Sequence, residues 1–397
     1  MKTNLKKILS AILAISAVIS ASGCNIVTEE DPSSQNNSSQ VQDNPQTPES
    51  SASGENSSQA ESTPAPQSSI SPQSSSKPQS SSSPDNEEPG GEMSGTVFVL
   101  SNGRGISLFG GGKAGGKDYA ETLNTYKEKL GDVKLYSLVA PTSGSYYLPA
   151  KYKNKMASEK DNIDHINSFL SGVTPIDAYS VLAKHTDEDI YFRTDHHWTQ
   201  LGAYYAAEEF ARVAGVPFAP LSEYNTTVRE GFVGSLYGYS KENAKMRKNP
   251  DTFTFYKPKN NYTISVYDPK YNFKYKMPFR LTDDVVSLNN SYMVYGGDAQ
   301  INYVKTDCTN GRKLVIIGDS YDNAFFPNLT NSFSEIWVVD MRAVTSSYTY
   351  FDLNIIDFIQ KMGATDELFC MDTFSAVGGN RKGLKTMLNS ANTLELS

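Results

Sequence analysis

The chain has 397 residues, a formal net charge of −8 and a pI near 5.2. That acidic balance argues against a nucleic-acid partner, which calls for a basic face to neutralise phosphates. The three cysteines show no spacing that points to thiol chemistry.

The first 24 residues read as an export signal. Lys2, Lys6 and Lys7 make a basic start, and residues 8–19 are an apolar core too short for an ordinary membrane span. They end in Ala21-Ser22-Gly23-Cys24, which resembles a bacterial lipobox with Ala21 where leucine is usual. The resemblance implies lipidation at Cys24 and an extracytoplasmic protein anchored to the cell membrane. No later run is long and apolar enough to cross a bilayer. Residues 25–94 are rich in Ser, Gln, Pro, Asn and Glu, with almost nothing to bury, so a disordered linker is expected. As a coil of about 65 residues it has an r.m.s. span of roughly 45 Å. About 300 residues remain, enough for one large α/β domain over 95–397.

Within that domain, residues 96–100 read as a strand and the glycine-rich stretch 103–116 as a loop, because it fits neither a phosphate-binding nor a dinucleotide-binding glycine pattern. Helical periodicity follows over 118–130 through Tyr119, Leu123, Tyr126 and Leu130. A strand over 134–140 stops at Pro141-Thr142-Ser143. A helix over 161–170 and a short strand over 175–177 complete a β-α-β-α-β rhythm, the mark of a parallel sheet with helices on its faces. A short strand over 190–193 leads to a turn at Asp195-His196-His197. Thr199 is the expected N-cap of a helix that continues to a stop at Gly215.

Over about 249–291 the pattern changes to tyrosine-rich strands at 253–256, 262–267 and 275–281, expected as an antiparallel insertion or edge layer. After Gly296-Gly297 the parallel rhythm resumes with strands at 313–317, 335–340 and 367–371 and a helix over 353–362. Cys308 and Cys370 are consistent with either a disulfide or a buried free thiol.

Two stretches carry the chemistry. On extended backbone, side chains two apart share a face, which puts Asp195 beside His197 and turns His196 away. A carboxylate at the imidazole Nδ1 fixes its tautomer and steadies the imidazolium. Far downstream, Gly318-Asp319-Ser320 ends an apolar strand, where open α/β sheets build their sites. Serine is a weak nucleophile until a histidine takes its proton, so each stretch needs the other. The expectation is that the fold brings them together, with Ser320 as nucleophile, His197 as base and Asp195 as its orienter. The helix start after the turn would aim backbone N–H groups, that of Ser320 among them, at a developing oxyanion.

Residues 191–199, with Gly202-Ala203-Tyr204 behind them, resemble the signature of the DHHW protein family. In this order the two stretches also resemble SGNH-hydrolase-like O-acetyltransferases that acetylate bacterial exopolysaccharides such as alginate. The resemblance covers most of 95–397, with fainter echoes at Pro141-Thr142-Ser143, Phe232-Val233-Gly234-Ser235-Leu236 and Tyr295-Gly296-Gly297. It implies an SGNH-like α/β fold and the same Ser320, His197 and Asp195 roles, with Gly297 and Asn102 as candidates for the remaining oxyanion donors. It also implies a surface polysaccharide and an acyl donor as partners, a membrane acyltransferase being one route of supply. Trp198, Arg193 and Arg342 are candidates for substrate contact. No cofactor is expected. Two other readings stand beside this one: a non-catalytic carbohydrate- or wall-binding lipoprotein that keeps only the fold, and a metal-dependent hydrolase using Asp195, His196 and His197 as ligands.

Overall fold

The structure, a computed structural model, describes residues 88–268, 273–276, 299–343 and 353–393. The expected signal segment, Cys24, nearly all of the linker and Gly297 lie outside these residues. So does most of the expected strand at 275–281.

Strands β1 (Gly91–Ser94), β2 (Val97–Leu100) and β3 (Gly105–Ile106) form a small antiparallel sheet. Strand residues therefore precede residue 95, because Gly91–Ser94 pairs residue for residue with Val97–Leu100 across a turn in which Gly95 has φ +57°. Helix α1 (Lys113–Leu130) begins inside the glycine-rich stretch expected as loop. The reason is close packing rather than flexibility. A Cβ on Gly115 would lie 2.0 Å from the Val377 carbonyl oxygen, and one on Gly116 would lie 2.8 Å from the Ile166 side chain.

The remaining chain builds β4 (Lys134–Ala140), α2 (Glu159–Asn167), β5 (Val173–Pro175), α3 (Gln200–Ala214), β6 (Tyr224–Phe232), β7 (Asp251–Pro258), β8 (Tyr262–Asp268), β9 (Phe273–Lys276), β10 (Ile301–Thr306), β11 (Lys313–Gly318), β12 (Glu335–Asp340), α4 (Ile355–Lys361), β13 (Asp366–Asp372) and α5 (Lys382–Asn389). Eight of these strands make the main sheet in the order β5-β4-β13-β11-β12-β10-β8-β9. From β5 to β12 every pairing is parallel, and from β12 to β9 every pairing is antiparallel. Apart from the short edge strand β5, the parallel strands are almost wholly buried, as expected when helices cover both faces.

Of the antiparallel insertion or edge layer expected over about 249–291, the described strands fall in two places. Strand β7 pairs with β6 in a separate two-stranded sheet, while β8 and β9 extend the edge of the main sheet. The alternating burial of β7, with Phe253 and Phe255 inward, shows a strand with one solvated face.

One core lies on each face of the main sheet. The first packs α3 through Ala203, Ala206, Ala207 and Phe210 against Trp198, Phe325 and the strand residues Leu314 and Ile316. The second packs α1, α4 and α5 through Tyr119, Leu123, Phe358 and Leu384 against Val315, Ile317 and Phe369. At about 1.5–3 kcal/mol for each fully buried large apolar side chain, these two layers fix where the strand ends point. No helix of the described residues is long and apolar enough to cross a membrane.

Candidate active site

The short strand expected over 190–193 is reduced to a bridge at Tyr191, and a bend occupies 193–197, where a turn was expected. Tyr191 and Trp198 form an isolated antiparallel bridge, and the chain folds sharply between them. Asp195 and His197 thus meet through the bend: Asp195 Oδ1 accepts from the His197 backbone N–H at 3.0 Å and lies 2.6 Å from His197 Nδ1. Thr194, fully buried, ties this bend down. Its N–H donates to Asp251 Oδ2 at 2.8 Å, and its carbonyl and Oγ1 accept from the N–H groups of Leu236 and Gly234. Thr199 caps α3 by accepting from Gly202 N–H at 3.2 Å, and Gly215 ends it with φ 67°.

Ser320 follows β11, the strand between β13 and β12. Gly318 admits no side chain, since a Cβ would lie 2.0 Å from the Cys370 carbonyl oxygen. Asp319 shapes the turn on both sides. Its Oδ1 accepts from Tyr321 N–H at 2.9 Å and its Oδ2 from Asp372 N–H at 3.2 Å, which links the turn to the end of β13. Ser320 Oγ then lies 2.8 Å from His197 Nε2, 123 residues away in sequence. With Nδ1 protonated towards Asp195, Nε2 is the acceptor that faces the serine hydroxyl. Asp195, His197 and Ser320 therefore form one continuous chain of hydrogen bonds.

Asp195 is 2% exposed. Burial alone would push its carboxyl up, but the His197 charge and hydrogen bond, the nearby His196 and the Ser235 N–H hold it well below the usual carboxylate range. Asp372 goes the other way: burial first, then the charge of Asp319, push its carboxyl well above its ordinary value. Glu159 is also raised by burial, even though Thr142 and Thr373 donate to it. It joins the loop after β4 to the loop after β13.

Asp195, His196 and His197 are also the one group of metal-ligand types gathered among the described residues, with donor atoms within 4.8 Å of one another. Those atoms already have partners. Asp195 Oδ2 accepts from Ser235 N–H at 2.8 Å, His196 Nδ1 lies 2.7 Å from Ser235 Oγ, and both ring nitrogens of His197 are engaged. A metal would have to displace this whole network.

The other candidates from sequence fall in different places. Trp198 is 0% exposed and donates through Nε1 to the Tyr321 carbonyl, so here it packs beneath the site. Arg193 is half-buried and donates to the Asn102 carbonyl. Arg342, one turn past β12, is bound to Asp340 through Nε and Nη2 at 2.7–3.2 Å. Asn102 lies in the exposed turn between β2 and β3, where its Oδ1 accepts from Arg104 N–H. Cys308 and Cys370 are free thiols.

Sequence reasoning missed the 234–235 segment as part of the site. Ser235 holds both Asp195 and His196, and a Cβ on Gly234 would lie 2.3 Å from Asp195 Cβ. The faint echo at Phe232-Val233-Gly234-Ser235-Leu236 was the only signal for it.

The fold and site thus define an α/β protein with an aspartate–histidine–serine array that joins the bend before α3 to the turn after the parallel strand β11. The sequence pattern of the DHHW protein family matches residues 78–339, and the chain belongs to that family. A DHHW family protein from Eubacterium siraeum DSM 15702 is 42% identical, with a TM-score of 0.66 over 77% of this chain and 98% of that one. Bacillus cereus PatB1, solved with a sulfonyl adduct, shares the fold at 18% identity and TM-score 0.59, over 74% of this chain and 99% of its own. A looser likeness, at 12% identity and TM-score 0.42, links 76% of the chain to 99% of the O-acetyltransferase domain of Pseudomonas putida AlgJ. No curated protein matches the chain.

Proposed function

We propose that this protein is an O-acyl transferase or esterase, most simply for acetyl groups, acting on a surface polysaccharide from a lipid anchor at Cys24. The observation that carries the proposal is the unbroken chain from Asp195 through His197 to Ser320, at 2.6 and 2.8 Å. That is the geometry an activated serine requires. Support also comes from the depressed Asp195 carboxyl, which keeps a negative charge facing His197 across the neutral range. The resemblance of the two motifs to polysaccharide O-acetyltransferases supplies the substrate class.

In the proposed reaction, Ser320 Oγ attacks the acyl carbonyl as its proton passes to His197 Nε2. The imidazolium forms against Asp195, and the tetrahedral oxyanion accepts from backbone N–H groups of the turn. No partner takes the Ser320 N–H among the described residues, so it is free to serve there. Collapse breaks the bond to the donor's alkoxide, which leaves with the His197 proton. A sugar hydroxyl or water then gives its proton to His197 and attacks the acyl-serine, which releases Ser320. Exclusion of water decides between transfer and hydrolysis. Arg342, held by Asp340 beside the end of β11, is a candidate for steadying an anionic substrate group.

A fluorophosphonate should label the full-length protein at Ser320, and an aryl acetate should be turned over. Ser320→Ala should abolish labelling and reduce turnover by on the order of 10⁴–10⁶-fold. Turnover lost to a chelator and restored by metal would instead establish the metal-dependent reading. Glycan binding unchanged in Ser320→Ala, with no turnover by the wild type, would establish a binding protein.

A further inference from the structure

Ser320 and His197 come from segments far apart in the chain, and a single hydrogen bond is worth only about 1 kcal/mol net. That bond alone does not set a distance to a few tenths of an ångström. Two other hydrogen bonds join the same two segments. Trp198 Nε1 donates to the Tyr321 carbonyl at 3.0 Å, and the Tyr321 hydroxyl donates to the His196 carbonyl at 2.6 Å. One donor lies on each segment, so the bonds run in opposite directions. Their groups are the immediate chain neighbours of the reacting pair: Trp198 and His196 flank His197, and Tyr321 follows Ser320.

Both side chains are sealed from solvent, Trp198 at 0% and Tyr321 at 1% exposure. Neither side chain reaches the surface, and the Trp198 bond lies in the interior, where no water competes for it. Their rings pack at 5.1 Å between centroids, the Tyr321 ring lies 5.2 Å from that of His197, and Trp198 stacks on Phe325 at 6.1 Å. Losing the Trp198 donor would leave the buried Tyr321 carbonyl without its partner, which gives that bond a larger structural effect than its net energy, while the bond to the half-buried His196 carbonyl ties the same segments from the other side.

We propose, taking the site as an acyl-transfer centre, that Trp198 and Tyr321 are positioning residues. Together they form a reciprocal clasp that sets the separation of Ser320 from His197 before any substrate arrives. Tyr321→Phe removes one oxygen and keeps the ring, and Trp198→Phe removes the indole N–H while keeping an aromatic side chain.

The test compares wild type, both single variants and the double variant in three measurements: steady-state hydrolysis of an aryl acetate, the rate of Ser320 modification by a sulfonyl fluoride, and the crystallographic distance from Ser320 Oγ to His197 Nε2. In each single variant, kcat and the modification rate should fall together by about tenfold or more. KM should stay within about twofold, the sign of a defect in positioning rather than binding. The double variant should lose less than the product of the two single losses, because both bonds hold one distance. The Ser–His distance should lengthen beyond 2.8 Å in the variants. Unchanged kcat and modification rates, or an unchanged distance in both single variants, would overturn the clasp. A wild type with neither turnover nor modification would defeat the acyl-transfer reading instead, and the distances in the variants would still decide the clasp.

Discussion

Asp195 concentrates several demands in one side chain. It accepts two hydrogen bonds from His197 and one from Ser235, and Gly234 must lack a Cβ to let its carboxylate in. An asparagine cannot serve three N–H groups with one oxygen, and its amide would face donors. Asp195→Asn should therefore let the imidazole settle in the wrong tautomer and lower kcat by roughly 10³–10⁴-fold. It should also cost about 3 kcal/mol of stability near neutral pH, as when one partner of a buried pair is removed. The pH dependence follows from the sign of the shift. The folded-state pKa of Asp195 is depressed, so its stabilising contribution is present above the unfolded value of about 3.9 and disappears as pH falls through the folded value. Thermal melts at several pH values should show a constant deficit for the variant between pH 5 and 8 that narrows below about pH 4.

At the scale of elements, the sequence was most readable where one residue type settles local geometry. Thr199 and Gly215 marked the ends of α3, and the apolar runs of β4, β11, β12 and β13 were visible because strands buried on both faces need no alternation. The glycine-rich start of α1 was misread because glycine signals turns in isolation, whereas here it admits the Val377 backbone, a tertiary fact. Strands β6 and β10 lacked a clear signal, and the partners of β7 and β8 could not be read, because strand partners are set by long-range pairing. Of the site, Asp195, His197 and Ser320 were legible as residue types in the right settings. Ser235 was not, because a backbone N–H that supports a carboxylate leaves no mark in sequence.

Strand β13 also contains Glu367, fully buried, and among the described residues neither carboxylate oxygen has a hydrogen-bond partner. Burial pushes its carboxyl well above the ordinary value. With the folded pKa above the unfolded one, any stability is complete below about pH 4.3 and declines as pH rises towards the folded value. Glu367→Met, similar in volume and without a polar head, should gain about 1–3 kcal/mol near pH 4, where the protonated carboxyl is buried without a partner, and more by pH 8. Urea unfolding at the two pH values checks this, and a gain independent of pH would contradict it.

Across the whole molecule, the site depends on closure of the complete sheet. Its groups come from the bend at 194–199, the turn at 234–235, the turn at 319–321 and the N–H of Asp372, each held by a different element. No short piece of the chain assembles them, so activity should report on the folded domain rather than on any one segment. That dependence makes the domain's chemistry separable from its place in the cell. The first 24 residues and the linker are expected to set location and reach, not the geometry around Ser320. In Cys24→Ser, lipidation should fail, and the protein should move from the membrane fraction to the soluble fraction. Its kcat/KM for a small soluble ester should stay within about twofold of wild type, because a substrate that diffuses freely needs no tether. Acylation of a polymer in the cell wall should fall sharply in the same cells, because the anchored chain's effective concentration near its target is lost. Membrane retention in that variant would refute the lipid anchor, and a fall in soluble-ester turnover would show that the anchor reaches into the site after all.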